Sequence, residues 1–172
     1  LWVMGVQQDY VLWGKYVSLR AVHSAGHVFS HYCFLRGGEG VGVAGDHVMD
    51  VSTVVIIPPS GNMKAYIESL QRLLDYPLQF IAPGHGDVMP EPKATVDWLV
   101  NHRLMREQKV IDGLRKTGRA PLDELVKVVY DDVDTSLHKM AQLSLSAHLI
   151  KLCEENRARQ HAPDDSWEIL DV

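Results

Sequence analysis

Val41-Gly42-Val43-Ala44-Gly45-Asp46-His47-Val48-Met49 is the stretch on which the reading of this chain turns. Small and β-branched residues run into a glycine, and an acid flanked by a histidine follows at once. A short apolar run ending in Gly-Asp is how a buried strand delivers a carboxylate to the rim of a sheet. A carboxylate in that place needs a partner, because an unpaired buried charge is very costly. Histidines stand on loops before and after it, so Asp46 is read as the centre of a metal site. Without those neighbours it would be read as an aspartate opening a turn.

Upstream of this stretch, residues 10–13 and 16–22 read as two strands joined by Gly14-Lys15, the pattern of a hairpin. The second runs into His23-Ser24-Ala25-Gly26-His27-Val28-Phe29-Ser30-His31, where histidines recur every four residues. On a helix that spacing would place them on one face. Gly26 and the β-branched and aromatic neighbours favour a loop instead. Residues 32–35 resume as a strand, and 36–40 form a glycine-rich turn into the strand that ends at Asp46.

Downstream, residues 50–57 are rich in Val, Ile, Ser and Thr without clear periodicity, and Pro58-Pro59 breaks them. Met63, Tyr66, Ile67, Leu70, Leu73 and Leu74 then follow at amphipathic-helix spacing. A short strand over 78–82 leads into Pro83-Gly84-His85-Gly86. Strand, helix, strand and a histidine loop make an α/β arrangement with its site at the strand ends. Beyond Pro92 the character is helical. Residues 93–116 read as one long helix or two, Pro121 sits at the first turn of the next, and Asp134 or Thr135 caps a third. Residues 158–160 and 167–170 pair as a small ribbon. Three helices and a ribbon are winged-helix-like, which divides the chain into 1–98 and 99–172.

The chain has 172 residues, two cysteines, nine histidines and a net charge of -5. The acidic balance argues against a general nucleic-acid binder. No run approaches a membrane span, so no membrane partner is expected, and no signal peptide is visible. Cys33 and Cys153 are far apart in apolar segments, and they read as reduced core residues of a cytoplasmic protein. The abrupt start at Leu1-Trp2-Val3 suggests the C-terminal part of something longer.

The candidate ligands are therefore His23, His27, His31, Asp46, His47 and His85. Imidazole and carboxylate together suit Zn²⁺, Mn²⁺ or Fe²⁺, and a carboxylate can bridge two ions. Bound metal lowers the pKa of water, and two ions about 3.5–4 Å apart can clamp the attacking and leaving oxygens.

Ser24-Ala25-Gly26-His27 with His31, then Gly45-Asp46-His47-Val48-Met49, then Pro83-Gly84-His85-Gly86 resemble the metallo-β-lactamase superfamily. His102-Arg103 and Arg106-Glu107 resemble the helix that opens a C-terminal winged-helix extension in one of its branches. The resemblance implies an α/β fold, the C-terminal part of an αββα sandwich followed by a mostly helical winged-helix-like domain. It implies that His27 binds one metal, that Asp46 bridges both and is the catalytic ligand, and that His85 binds the second. His31 matches a family histidine near the site that is not a ligand. His23 and His47 match no ligand position and are read as supporting residues.

Two departures stand out. The family's usual Thr-Pro-Gly-His-Thr is Ser24-Ala25-Gly26-His27-Val28 here, and its His-x-His-x-Asp-His block is absent. One private ligand per ion plus a bridge is too few for a catalytic zinc, which normally has three protein ligands. Either a preceding half was removed, another chain supplies it, or the fold has kept a binding role without metal. The implied reaction is attack of a metal-bound hydroxide on a small-molecule ester or thioester, with two divalent ions, most simply Zn²⁺, as cofactors. An RNA-cutting enzyme in the same branch makes endoribonuclease the alternative, and a catalytically inactive binding module the competing class. The basic run from Arg103 to Arg119 is interrupted by Glu107 and Asp112 and reads as a solvated helix face. The chain by itself is expected to be inactive, and an uncovered sheet favours a homodimer or aggregation.

Overall fold

The computed structural model describes residues 10–50 and 52–170. Five strands form one sheet in sequential order: β1 (Tyr10–Trp13), β2 (Ser18–His23), β3 (Tyr32–Arg36), β4 (Val41–Gly45) and β5 (Phe80–Pro83). The first four are antiparallel neighbours, which tight connections allow. β5 lies parallel to β4, and the crossover between them carries α1 (Met63–Leu73). Both strands therefore end on the same rim, and Asp46 and His85 leave from it. A surface cavity lined by Trp13, Arg20, Arg36 and Tyr76 among others lies at the opposite ends of these strands.

Side chains alternate across the sheet. Val22, Cys33, Leu35, Ala44 and Ile81 point to one side, where they join Tyr66, Leu70 and Leu73 of α1 in a single buried cluster. Full burial of a Leu or Ile is worth about 1.5–3 kcal/mol, so this face fixes the strand register. Tyr10, Phe34, Val43 and Ala82 occupy linked pairing positions on the other side, with Leu12 and Phe80 two residues along. That side is apolar too, yet Leu12 is 46%, Val43 45% and Phe80 39% exposed.

Asn62 caps α1 by accepting a hydrogen bond from the Ala65 N–H. Residues 92–117 form one uninterrupted helix, α2 (Pro92–Thr117), with Pro92 in its first turn and Gly118 closing it at φ 70°. Its first turns put Val96, Leu99 and Val100 on the sheet cluster. Its last turns put Val110, Ile111 and Leu114 into a second cluster, with Leu125, Leu145, Leu149 and Trp167. The proposed division at residue 98 thus falls inside a continuous helix, and the two cores part between Val100 and Val110.

The second core is completed by α3 (Leu122–Val129), α4 (His138–Glu154) and a ribbon of β6 (Ala158–His161) and β7 (Ser166–Ile169). Asp134 does cap, but it caps a short 3-10 turn over Thr135–Leu137, and α4 begins only at His138. Trp167 reaches back to Ala120 through paired backbone hydrogen bonds and ties the ribbon to the helices. No helix among the described residues is long and apolar enough to cross a membrane. Cys33 and Cys153 are both free thiols.

Candidate metal centre

β4 delivers Asp46 through Gly45, whose φ of 51° is a left-handed conformation that favours glycine. The Asp46 side chain is 47% exposed. From β5, Gly84 donates its N–H to the Gly45 carbonyl at 2.7 Å, which draws the two strand ends together. A Cβ at Gly84 would sit 2.5 Å from Asp46 Oδ1. Only glycine therefore lets the backbone pass so close to the carboxylate. With that approach made, His85 Nε2 lies 3.4 Å from Asp46 Oδ1, on a side chain that is 72% exposed.

The third predicted ligand stands on the loop between β2 and β3. Gly26 lies against α1 so tightly that a Cβ there would meet the Tyr66 Cα at 2.2 Å. The Gly26 carbonyl accepts from the Asn62 N–H, which pins the loop to the helix start. His27 Nδ1 lies 3.2 Å from the Val55 carbonyl oxygen. A carbonyl can only accept, so Nδ1 carries the proton and Nε2 keeps its lone pair. That tautomer is the one a metal-binding imidazole needs.

The three histidines predicted to support the site take up local partners. His47 is fully buried, with Nε2 at 2.9 Å from Ser69 Oγ. The Ser69 hydroxyl donates to the Ala25 carbonyl at 2.8 Å, so it accepts from His47. Burial first, then the neighbouring His31 and His27, pull the His47 pKa down to about 3, and the ring is neutral. His31 stacks on it at 5.3 Å and pairs with Ser24 Oγ at 2.7 Å. Burial and then His27 lower the His31 pKa, against the opposing pull of Asp46. His23 lies outermost, its Nε2 at 2.9 Å from the Phe29 carbonyl.

The donor chemistry fits a divalent ion: one carboxylate, one exposed imidazole beside it, and one imidazole with its proton already held away. The number does not fit a complete site. Asp46 and His85 are brought together, but no group of three His, Cys, Asp or Glu side chains able to hold an ion occurs among the described residues.

Sequence reasoning missed the roles of four residues that organise these loops, Ser24, Tyr66, Ser69 and Arg103; Arg103, read as the start of a solvated helix face, is buried. Two of them left a signal. Ser69 is the one small polar residue on the buried face of α1. Arg103 and Glu107 interrupt the buried stripe of α2 that runs through Val96, Leu99, Val100, Val110 and Leu114. A polar residue in an apolar stripe has a buried partner.

Residues 122–167 match the family described as Beta-lactamase associated winged helix domain. The chain is 33% identical over 144 residues to the Beta-lactamase-like protein 2 homolog of Drosophila melanogaster, covering 83% of this chain and 48% of the fly protein. It is 28% identical over 144 residues to the atrochrysone carboxyl ACP thioesterase of Emericella nidulans, covering 81% of this chain and 45% of that protein. Among solved structures, a metallo-beta-lactamase family protein from Thermus thermophilus superposes with a TM-score of 0.82 at 22% identity, over 96% of this chain and 54% of its own. A beta-lactamase domain protein from Burkholderia ambifaria gives 0.82 at 20%, over 96% and 52%. The chain spans about half the length of the curated relatives it matches. By these matches the chain belongs to the metallo-β-lactamase superfamily, in the branch that carries a C-terminal winged helix.

Proposed function

We propose that this chain carries part of a two-ion hydrolytic centre acting on an ester or thioester. The observation that supports it most is the approach of His85 to Asp46 at 3.4 Å, permitted by Gly84. His27, Asp46 and His85 would hold the ions, with Asp46 shared. Divalent ions in such a site lower the pKa of water and polarise a carbonyl oxygen. The chain's own part is positional. The Val55 carbonyl keeps the His27 proton on Nδ1, and the Ser69 bridge sets the two ligand loops at a fixed separation. Zinc is the simplest occupant for histidine and carboxylate donors, with manganese or iron as alternatives.

Three donors fall short of two ions, so the remaining ligands come from polypeptide beyond these residues, either the preceding half or a second chain. Two fungal relatives are named as acyl-carrier thioesterases, which supports the substrate class. The electrostatics count against RNA. Arg106 pairs with Asp132 at 2.8 Å, Lys109 with Asp131 and Asp132, and Arg119 with both oxygens of Asp164. A phosphate track needs cations that are not already neutralised. The binding-module reading fares no better, because His148 and Lys151 of α4 are buried against α2 and cannot reach a duplex.

A thioester-hydrolysis assay tests this on protein that includes the remaining ligand-bearing polypeptide, beside the chain by itself. The complete form should hydrolyse thioester, and Asp46→Ala should cost roughly a thousandfold or more in kcat/KM. RNA cleavage without thioester turnover would contradict the substrate class. Full activity of this chain alone would contradict the ligand count.

A further inference from the structure

Arg103 lies on α2, in the part of the chain that leads to the winged helix, yet it is turned inward and only 3% exposed. Its Nη2 donates to the Val54 carbonyl at 2.5 Å. The next carbonyl along, that of Val55, is the one that accepts from His27. The same guanidinium lies over the Tyr66 ring at 5.2 Å. Tyr66 is fully buried and donates its hydroxyl to the His47 carbonyl at 3.0 Å. Burial, against the opposing pull of Arg103, raises the Tyr66 pKa, so the hydroxyl keeps its proton to donate. His47 follows Asp46 directly. One side chain therefore braces two separate supports, the peptide that orients the first histidine and the ring that holds the loop of the bridging carboxylate.

We infer that Arg103 is a positioning residue for the metal ligands, and that through it helix α2 is built into the frame of the metal centre. Burying a guanidinium is costly unless its charge and donors are used. Here one donor is taken by a carbonyl and one face by an aromatic ring, while Nε is buried without a partner, so the burial is only partly compensated. A lysine could supply the first contact but not the planar second. Partners one shell out from a metal commonly change affinity by about 10- to 100-fold when removed, because they fix ligand tautomer and ring orientation. The inference rests on reading His27 and Asp46 as ligands, but its first readout needs no metal.

The experiment is ¹⁵N-histidine NMR on the metal-free full chain, with hydrogen exchange at the amides of Asp46, His47 and Val48. It compares the unmodified protein with Arg103→Gln, with Tyr66→Phe, and with Arg106→Gln as a control on the same helix. The unmodified chain should show His27 held as the Nδ1–H tautomer. Arg103→Gln should release it to a tautomer mixture and speed exchange at 46–48 by roughly tenfold or more. Tyr66→Phe should speed the same amides while leaving His27 unchanged, and Arg106→Gln should do neither. If Arg103→Gln does not fold, Arg103→Lys is read in the same way, with a partial loss expected. A folded Arg103 variant with His27 still held on Nδ1–H and exchange within about twofold of the unmodified chain would overturn the inference. A zinc titration of the same samples separates the two readings. With the remaining ligand-bearing polypeptide present, no uptake by any of them sinks the metal centre, whereas uptake weakened about 10- to 100-fold in Arg103→Gln alone is the result expected if both hold.

Discussion

At the scale of single residues, the site depends on close backbone approach as much as on its donors. Gly84 is the clearest case, because a methyl group there would meet both Asp46 Oδ1 at 2.5 Å and the Gly45 carbonyl carbon at 2.9 Å. The carboxylate oxygen could swing aside, but the Gly45 carbonyl carbon and the Asp46 N at 3.2 Å are backbone, so the strand ends must part. Gly84→Ala should leave the helical core folded by circular dichroism and weaken zinc affinity by roughly tenfold or more in equilibrium dialysis. Wild-type affinity in that variant would contradict the argument. That Asp46 and His85 leave the same rim was legible in the sequence, because each follows a strand end, beside a glycine, where a turn must come. The roles of Ser69 and Arg103 were not, since what a buried polar group bonds to depends on which segment packs opposite. In both cases that segment lies far away in the chain, Ala25 for one and Val54 for the other.

At the scale of elements, α2 joins two cores, and the join is polar. Glu107 is buried between Lys151 Nζ at 2.7 Å and Arg157 Nη1 at 3.2 Å, with His148 Nδ1 at 4.0 Å. Burial works to raise the Glu107 pKa, but His148 and Lys151 outweigh it and hold it at about 2, below the ordinary 4.5. A carboxyl depressed on folding contributes stability that is fully present above 4.5 and is lost as the pH falls through about 2. Burial lowers the His148 pKa, so acid also favours unfolding there by charging the imidazole. Urea unfolding should therefore show stability falling between pH 4.5 and 2, with Glu107→Gln flattening the slope by about 2–3 kcal/mol over that range. An unchanged slope would mean the pair is solvated in the folded state. The helices were readable from the 3.6-residue period of their apolar positions. The 3-10 turn before α4 was not, because its cap at Asp134 looks the same whichever helix type follows. Nor did periodicity decide whether 93–116 was one helix, since Arg103 and Glu107 break the apolar stripe in the middle.

At the scale of the whole molecule, one side of the sheet carries the core and the other carries Leu12, Val43 and Phe80 in partial exposure. Alternating strands could not reveal this beforehand, since an apolar residue at both phases reads the same whether one face is covered or two. An apolar face of this kind drives association. Leu12→Lys with Val43→Glu should convert a self-associating chain into a monomer in sedimentation velocity, and a monomeric unmodified chain would contradict it. The partly exposed face and the short ligand set among the described residues both fit the proposal that this chain carries part of a metal centre. That proposal is tested most directly by titrating zinc into the ¹⁵N-histidine-labelled chain, with the remaining ligand-bearing polypeptide present, while following the rings of His27 and His85 in the unmodified protein and in Asp46→Ala. It predicts that His85 Nε2 and His27 Nε2 respond to zinc in the unmodified chain and that Asp46→Ala abolishes or sharply weakens both responses. Rings that ignore zinc, or that respond equally without the Asp46 carboxylate, would contradict it.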